Sequence, residues 1–105
     1  TVQKALPLLP EGASIVLNAS TASTVGTPAF SVYSATKAAV RSFARNWTLD
    51  LKERKIRVNA ISPGVVPTPG YDHLGLSNEQ VQEFIDSQAA NIPLGRVGTP
   101  DEIAK

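Results

Sequence analysis

At 105 residues, 42% hydrophobic and 18% charged, the chain has the composition of one globular domain at most and not of a disordered tail. Its net charge of +1, with the basic residues scattered, leaves no electrostatic footprint for nucleic acid or an anionic membrane. Cysteine is absent, which excludes disulfides and thiolate metal sites, and neither a membrane-length apolar run nor a signal-peptide pattern is present, so a soluble, cytoplasmic protein is expected.

In chain order, Val2, Leu6 and Leu9 have the spacing of one helix face, which ends near Pro7 and Pro10. The apolar run Ile15-Val16-Leu17 within Ala13–Asn18 reads as a buried parallel strand. A loop rich in Ser, Thr, Gly and Pro follows, from Ser20 to about Ser31. Next comes a long helix: Val40, Phe43, Ala44, Trp47 and Leu51 form one apolar stripe, and Ser31 is its candidate N-cap. Ala35, Ala38, Ala39 and Ser42 give the same helix a second face of small residues.

A second buried strand is expected over Ile56–Ile61, stopped by Pro63-Gly64. The stretch after it has turn residues and no periodicity. Ser77 and Gln80 form a capping box before a helix whose apolar face is Val81, Phe84, Ile85 and Ala89. Thr99, Pro100 and Glu102 start another helix close to Lys105. Strand, helix, strand, long loop and helix is the rhythm of an α/β fold with a parallel sheet. Two strands are few for such a sheet, and the chain is expected to be the interior of a longer protein.

Chemistry is carried by "YSATK", residues 33–37. On a helix, Tyr33 and Lys37 share a face one turn apart. An ammonium there favours the phenolate, which suits a general acid for an alkoxide or a general base for an alcohol. A bare Tyr-x-x-x-Lys is weak, arising by chance in roughly one such chain in ten. Ser20 strengthens it, standing thirteen residues earlier and just past the first strand. In open parallel sheets ligands bind outside the carboxyl ends of strands, and Pro63-Gly64 would lie at the same edge. His73 has a single acidic neighbour, Asp72, so no metal site is expected. Ser23 and Thr24 are read as turn caps, Asn18 and Asn59 as partners of backbone groups, and Trp47 as core or subunit interface.

The strand ending in Ser20, the Tyr33-x-x-x-Lys37 motif, "IRVNAISPGVVPT" and "IPLGRVGTPDEIA" together resemble the short-chain dehydrogenase/reductase family along the whole chain. The resemblance implies part of a doubly wound, Rossmann-type domain, with residues 1–105 as its catalytic half. Its glycine-rich first turn, the helical asparagine that completes the catalytic set and the extreme C-terminus would lie outside these residues. It further implies an oxidoreductase that moves hydride between NAD or NADP and a carbonyl or alcohol. Tyr33 would contact both substrate and cofactor and exchange the proton, Ser20 would bond the substrate oxygen, and Lys37 would favour the phenolate and bond the nicotinamide ribose. Pro63, Gly64, Val66 and Thr68 would contact the cofactor, with the Val66 backbone facing the carboxamide. Residues 69–93 would form the substrate lid. A homodimer or homotetramer would pair helices across its interface. The alternative is a sensor or scaffold of this fold that binds dinucleotide without turnover.

Overall fold

In a computed structural model of the chain, residues 1–71 and 75–105 are described in full, and residues 72–74 by their backbone alone. The expectations placed on Asp72, His73 and Leu74 lie outside the described residues. Two units divide the chain, Thr1–Ser62 and Pro63–Lys105.

The first unit is built on two parallel strands, β1 (Ser14–Asn18) and β2 (Arg57–Ile61), in register from Ser14 opposite Arg57 to Asn18 opposite Ile61. Both fall within a residue of their expected spans. Side chains alternate across the sheet. Ile15 and Leu17 of β1, with Val58 and Ala60 of β2, turn toward the long helix α2 (Ser31–Asp50). On the other face Val16 is 60% exposed. The sequence suggests a strand covered on both faces, whereas α2 covers one only. Buried Ala44, Ile56 and Val58 form the core, with Leu9, Trp47 and Leu51 packed around them. Burying a side chain such as Ile56 or Val58 contributes about 1.5–3 kcal/mol. Small Ala44 lets the helix backbone approach β2, and Thr48 Oγ1 then donates to the Val58 carbonyl at 3.1 Å.

Two local details differ from expectation. The N-terminal helical pattern holds an α-turn only over α1 (Val2–Ala5) and tightens to a 3-10 turn over Leu6–Leu8, where Pro7 sits in its first positions. Proline has no N–H to continue the α-helical ladder. The guanidinium of Arg54 gathers the following carbonyls, donating to Leu6 O at 3.0 Å and to Leu9 O. The other difference is at the start of α2, where the N-cap is Phe30 and not Ser31. Ser31 already has helical backbone, and the first helical bond runs from Ser34 N–H to the Phe30 carbonyl at 2.8 Å. Ala29, at φ 64°, turns the chain into the helix, and the Phe30 ring packs edge-on against Tyr33 at 5.7 Å.

The second unit begins at Pro63. A 3-10 turn spans Pro69–Leu74, then α3 (Asn78–Ala89) starts with the expected capping box: Ser77 Oγ accepts from Gln80 N–H, and Gln80 Oε1 accepts from Ser77 N–H. Val81, Ile85 and Ala89 are half-buried, and Phe84, more exposed, lies 6.3 Å from the Tyr71 ring. The last helix, α4 (Pro100–Ala104), also carries its expected capping box, between Thr99 and Glu102.

Candidate active site

Ser20 follows β1 by two residues and caps a 3-10 turn, Thr21–Ser23. Its Oγ accepts the Ala22 N–H at 3.2 Å. Because the oxygen is held as an acceptor by backbone, its O–H remains able to donate outward. Ala19 before it is buried, which fixes the turn at the strand end. The expected turn role of Thr24 also holds, since its hydroxyl donates to the Thr21 carbonyl at 3.0 Å. Ser23 does not cap: its Oγ, like that of Ser34, is buried without a hydrogen-bond partner.

Tyr33 and Lys37 occupy the first two turns of α2. The Lys37 ammonium lies 5.6 Å from the Tyr33 ring centroid, within cation–π range. It also donates to the Asn18 carbonyl at 3.1 Å. Asn18 is the last residue of β1, so this bond pins the Lys37 side of the helix to the carboxyl end of the strand. Tyr33 stays 44% exposed and reachable by a ligand. Asn18 therefore serves through its main chain, as does nothing in its side chain that a sequence pattern could flag. Asn59 is exposed on β2. Trp47 is half-buried against the core and stacks on Phe43 at 4.8 Å.

An open groove of about 480 Å³ lies along β2 and α2, lined by Arg41, Ala44, Thr48 and Val58 among others, but by none of Ser20, Tyr33 and Lys37. It reflects the unpaired edge of β2. Ser20 and Lys37 stand instead at the carboxyl end of β1, the first just past it and the second bonded to it.

In the second unit, Pro63 and Val66 are half-buried, whereas Gly64 and Thr68 are exposed. Space is open around Gly64, where an added Cβ would meet nothing within 4 Å. Thr68 begins the 3-10 turn, its carbonyl accepting the Tyr71 N–H at 3.0 Å. The stretch Val65-Val66 is joined to a distant part of the sequence: Gly98 N–H donates to the Val65 carbonyl at 3.1 Å. Close by, Arg96 holds Glu102 by two bonds, Nη1 to Oε2 at 3.0 Å and Nη2 to Oε1 at 2.7 Å. Those bonds, together with Thr99, hold the Glu102 carboxyl well below its ordinary range, at about 2. Sequence reading identified the cap but not the Gly98 contact, for which a glycine beside a helix start is the only signal. Among the described residues no group of His, Asp and Glu side chains could hold a metal ion, and no helix is long and apolar enough to cross a membrane.

The fold agrees with comparison to known proteins. A family model described as enoyl-(acyl carrier protein) reductase matches residues 1–105. The oxidoreductase asL5 of Sarocladium schorii is 41% identical over 106 residues, covering 98% of this chain and 40% of that protein. A crystal structure of a short-chain dehydrogenase/reductase of glucose/ribitol dehydrogenase type from Brucella melitensis superposes with a TM-score of 0.83 at 38% identity, over 98% of this chain and 39% of the other. A small-chain dehydrogenase crystallised with NADPH gives a TM-score of 0.89 at 28% identity, over 98% and 45%. The chain belongs to the short-chain dehydrogenase/reductase family, and its two parallel strands are part of a Rossmann-type doubly wound sheet. It spans about two-fifths of the length of these relatives.

Proposed function

We propose that the protein carrying this chain is an NAD(P)-dependent oxidoreductase acting on a small carbonyl or alcohol substrate, with Tyr33 as its general acid and base. The observation that carries this reading is the placement of the Lys37 ammonium beside the Tyr33 ring and on the Asn18 carbonyl, at the strand end where Ser20 stands. In the reducing direction the Ser20 O–H donates to the substrate carbonyl oxygen and polarises it. The Tyr33 O–H gives its proton to that oxygen as negative charge develops there. The resulting phenolate is stabilised by Lys37 and recovers its proton from solvent, and in the oxidising direction the same phenolate removes the alcohol proton. A bound nicotinamide supplies or takes up the hydride.

The donor set fits such a cofactor. An ammonium has three N–H groups, and Lys37 commits one to Asn18, so two remain for the ribose hydroxyls. Pro63, Gly64, Val66 and Thr68 would hold the cofactor, Val66 through its backbone groups toward the carboxamide. The NADPH complex among the relatives supports the cofactor class. Residues 69–93 form the substrate lid, whose Tyr71–Phe84 pair gives it an aromatic element. The protein is cytoplasmic and assembles as a homodimer or homotetramer through α2, on which Ala35, Ala38 and Ala39 are exposed beside Val32, 77% exposed.

The test is to incubate the full-length protein with NADH or NADPH and a panel of ketones and aldehydes, following nicotinamide absorbance. Carbonyl-dependent oxidation of either cofactor is expected. Tight dinucleotide binding with no turnover across the panel would instead favour the sensor or scaffold reading.

A further inference from the structure

Between Gly95 and Glu102 the chain is locked upon itself. Thr99 Oγ1 accepts the Glu102 N–H at 3.3 Å, and Glu102 Oε2 accepts the Thr99 N–H at 2.8 Å. Arg96 grips the same carboxylate through both terminal nitrogens and also donates to the Val97 carbonyl at 3.1 Å. Gly98 lies inside this lock, and its N–H points outward to the Val65 carbonyl. A Cβ at Gly98 would stand 3.2 Å from Val66 Cγ2 and 3.8 Å from Val65 O. That is too tight unless the neighbour gives way by a few tenths of an ångström. Glycine suits this position because a Cβ would press on the Val66 side chain, while the Val65 carbonyl would stay at ordinary contact distance.

We propose that Gly98, held by the Arg96–Thr99–Glu102 lock, is a positioning residue that fixes the Val65-Val66 backbone in the orientation that receives the nicotinamide carboxamide. This rests on the reading of Val66 as the carboxamide partner. A peptide unit whose carbonyl accepts the Gly98 N–H, with the Val66 side chain close beside the glycine, cannot tilt freely. The Val66 N–H belongs to that same unit and takes a fixed direction with it, and the Val66 carbonyl follows in the next unit, whose nitrogen is that of Pro67 and carries no hydrogen, so that a nicotinamide would be held by its amide substituent. The lock touches neither substrate nor cofactor. It acts through the backbone it restrains.

The experiment compares two ligands on the full-length protein by isothermal titration: the preferred nicotinamide dinucleotide, and its ADP-ribose fragment (2′-phosphorylated if NADP is preferred), which lacks the nicotinamide. Gly98→Ala should weaken the dinucleotide by roughly five- to tenfold and leave the fragment unchanged. Glu102→Ala should act in the same direction, and Glu102→Gln should restore most of the affinity, because glutamine also closes a capping box. Two results would overturn the proposal: both ligands weakened equally, as general destabilisation requires, or neither weakened in Gly98→Ala and Glu102→Ala. A third arm separates this from the reading beneath it. In the unaltered protein the 3-acetylpyridine dinucleotide, which lacks the amide N–H₂, should bind less tightly than the natural cofactor. Equal binding there overturns the Val66 reading itself, and the positioning role with it. Weaker analogue binding with an unaffected Gly98→Ala removes the positioning role alone.

Discussion

The two units hold their functional groups in opposite ways. In Thr1–Ser62 the groups are side chains, and the contact that sets them is long-range: Lys37 reaches nineteen residues back to the Asn18 carbonyl. In Pro63–Lys105 the candidate groups are main-chain atoms of Val65 and Val66, restrained by the backbone of Gly98 and by a cap closed within four residues. Where function is carried by a side chain, changing the letter removes the chemistry. Where it is carried by a peptide group, most substitutions leave the chemistry in place, and only those that move the backbone disturb it.

Tyr33→Phe should break the first unit most severely. The ring keeps its edge-on contact with Phe30, but turnover should fall by about 10²–10⁴ with cofactor affinity nearly unchanged. Residual activity above about a hundredth of the unaltered enzyme would remove Tyr33 from the proton-transfer role. Lys37→Met keeps much of the stem but removes the ammonium, so both kcat and cofactor affinity should drop, the second by loss of the ribose donors. Unchanged cofactor affinity by titration would contradict that assignment.

The scaffold beneath these residues is tested by Ile56→Ala, which opens a cavity beside Ala44 and Val58 and should cost about 2–5 kcal/mol in denaturant unfolding. A cost below about 1 kcal/mol would mean that the site collapses to fill the space.

Acid should reveal the second unit. The Glu102 carboxyl is depressed from 4.5 to about 2 in the folded chain, so its contribution to stability is complete above about 4.5 and is lost as pH falls toward 2. Because the group is half-exposed, the effect is small. Glu102→Gln should flatten the dependence of melting temperature on pH in that window. An unchanged slope would assign it to other carboxylates. Smallest of all, Val66→Ala leaves the peptide group in place and should alter dinucleotide affinity by less than about fivefold. A loss as large as that of Lys37→Met would show that the side chain, and not the backbone, makes the contact.

The same contrast explains what could be read from sequence. Ser20, Tyr33 and Lys37 stand out as candidates because their chemistry resides in the letters and their spacing. Both strands and both capping boxes are legible for a similar reason, since apolar runs and the Ser-x-x-Gln and Thr-x-x-Glu patterns act over a few residues. The Asn18 carbonyl is not, because every residue has one, and only the folded register brings it to Lys37. Gly98 is hidden in the same way: nothing local distinguishes a glycine needed for closeness from one needed for a turn. At Ser31 the local preference for a hydroxyl cap gives way to Phe30, whose ring packs on Tyr33. Val16 reads as buried because an apolar run carries no record of how many layers lie against it.

The hydrogen bond from Gly98 to Val65 has a consequence for how such a protein can diversify. It closes the base of a loop that contains the whole of residues 69–93, so the ends of that segment are fixed whatever lies between them. Between them α3 carries its own capping box, so the helix of the segment starts independently of that anchorage. Residues within it can be lengthened, shortened or exchanged while its anchorage remains the same pair of backbones. The segment is in effect a cassette. Transplanting it from a relative, cut at the Val65 and Gly98 ends, should leave that anchorage in place.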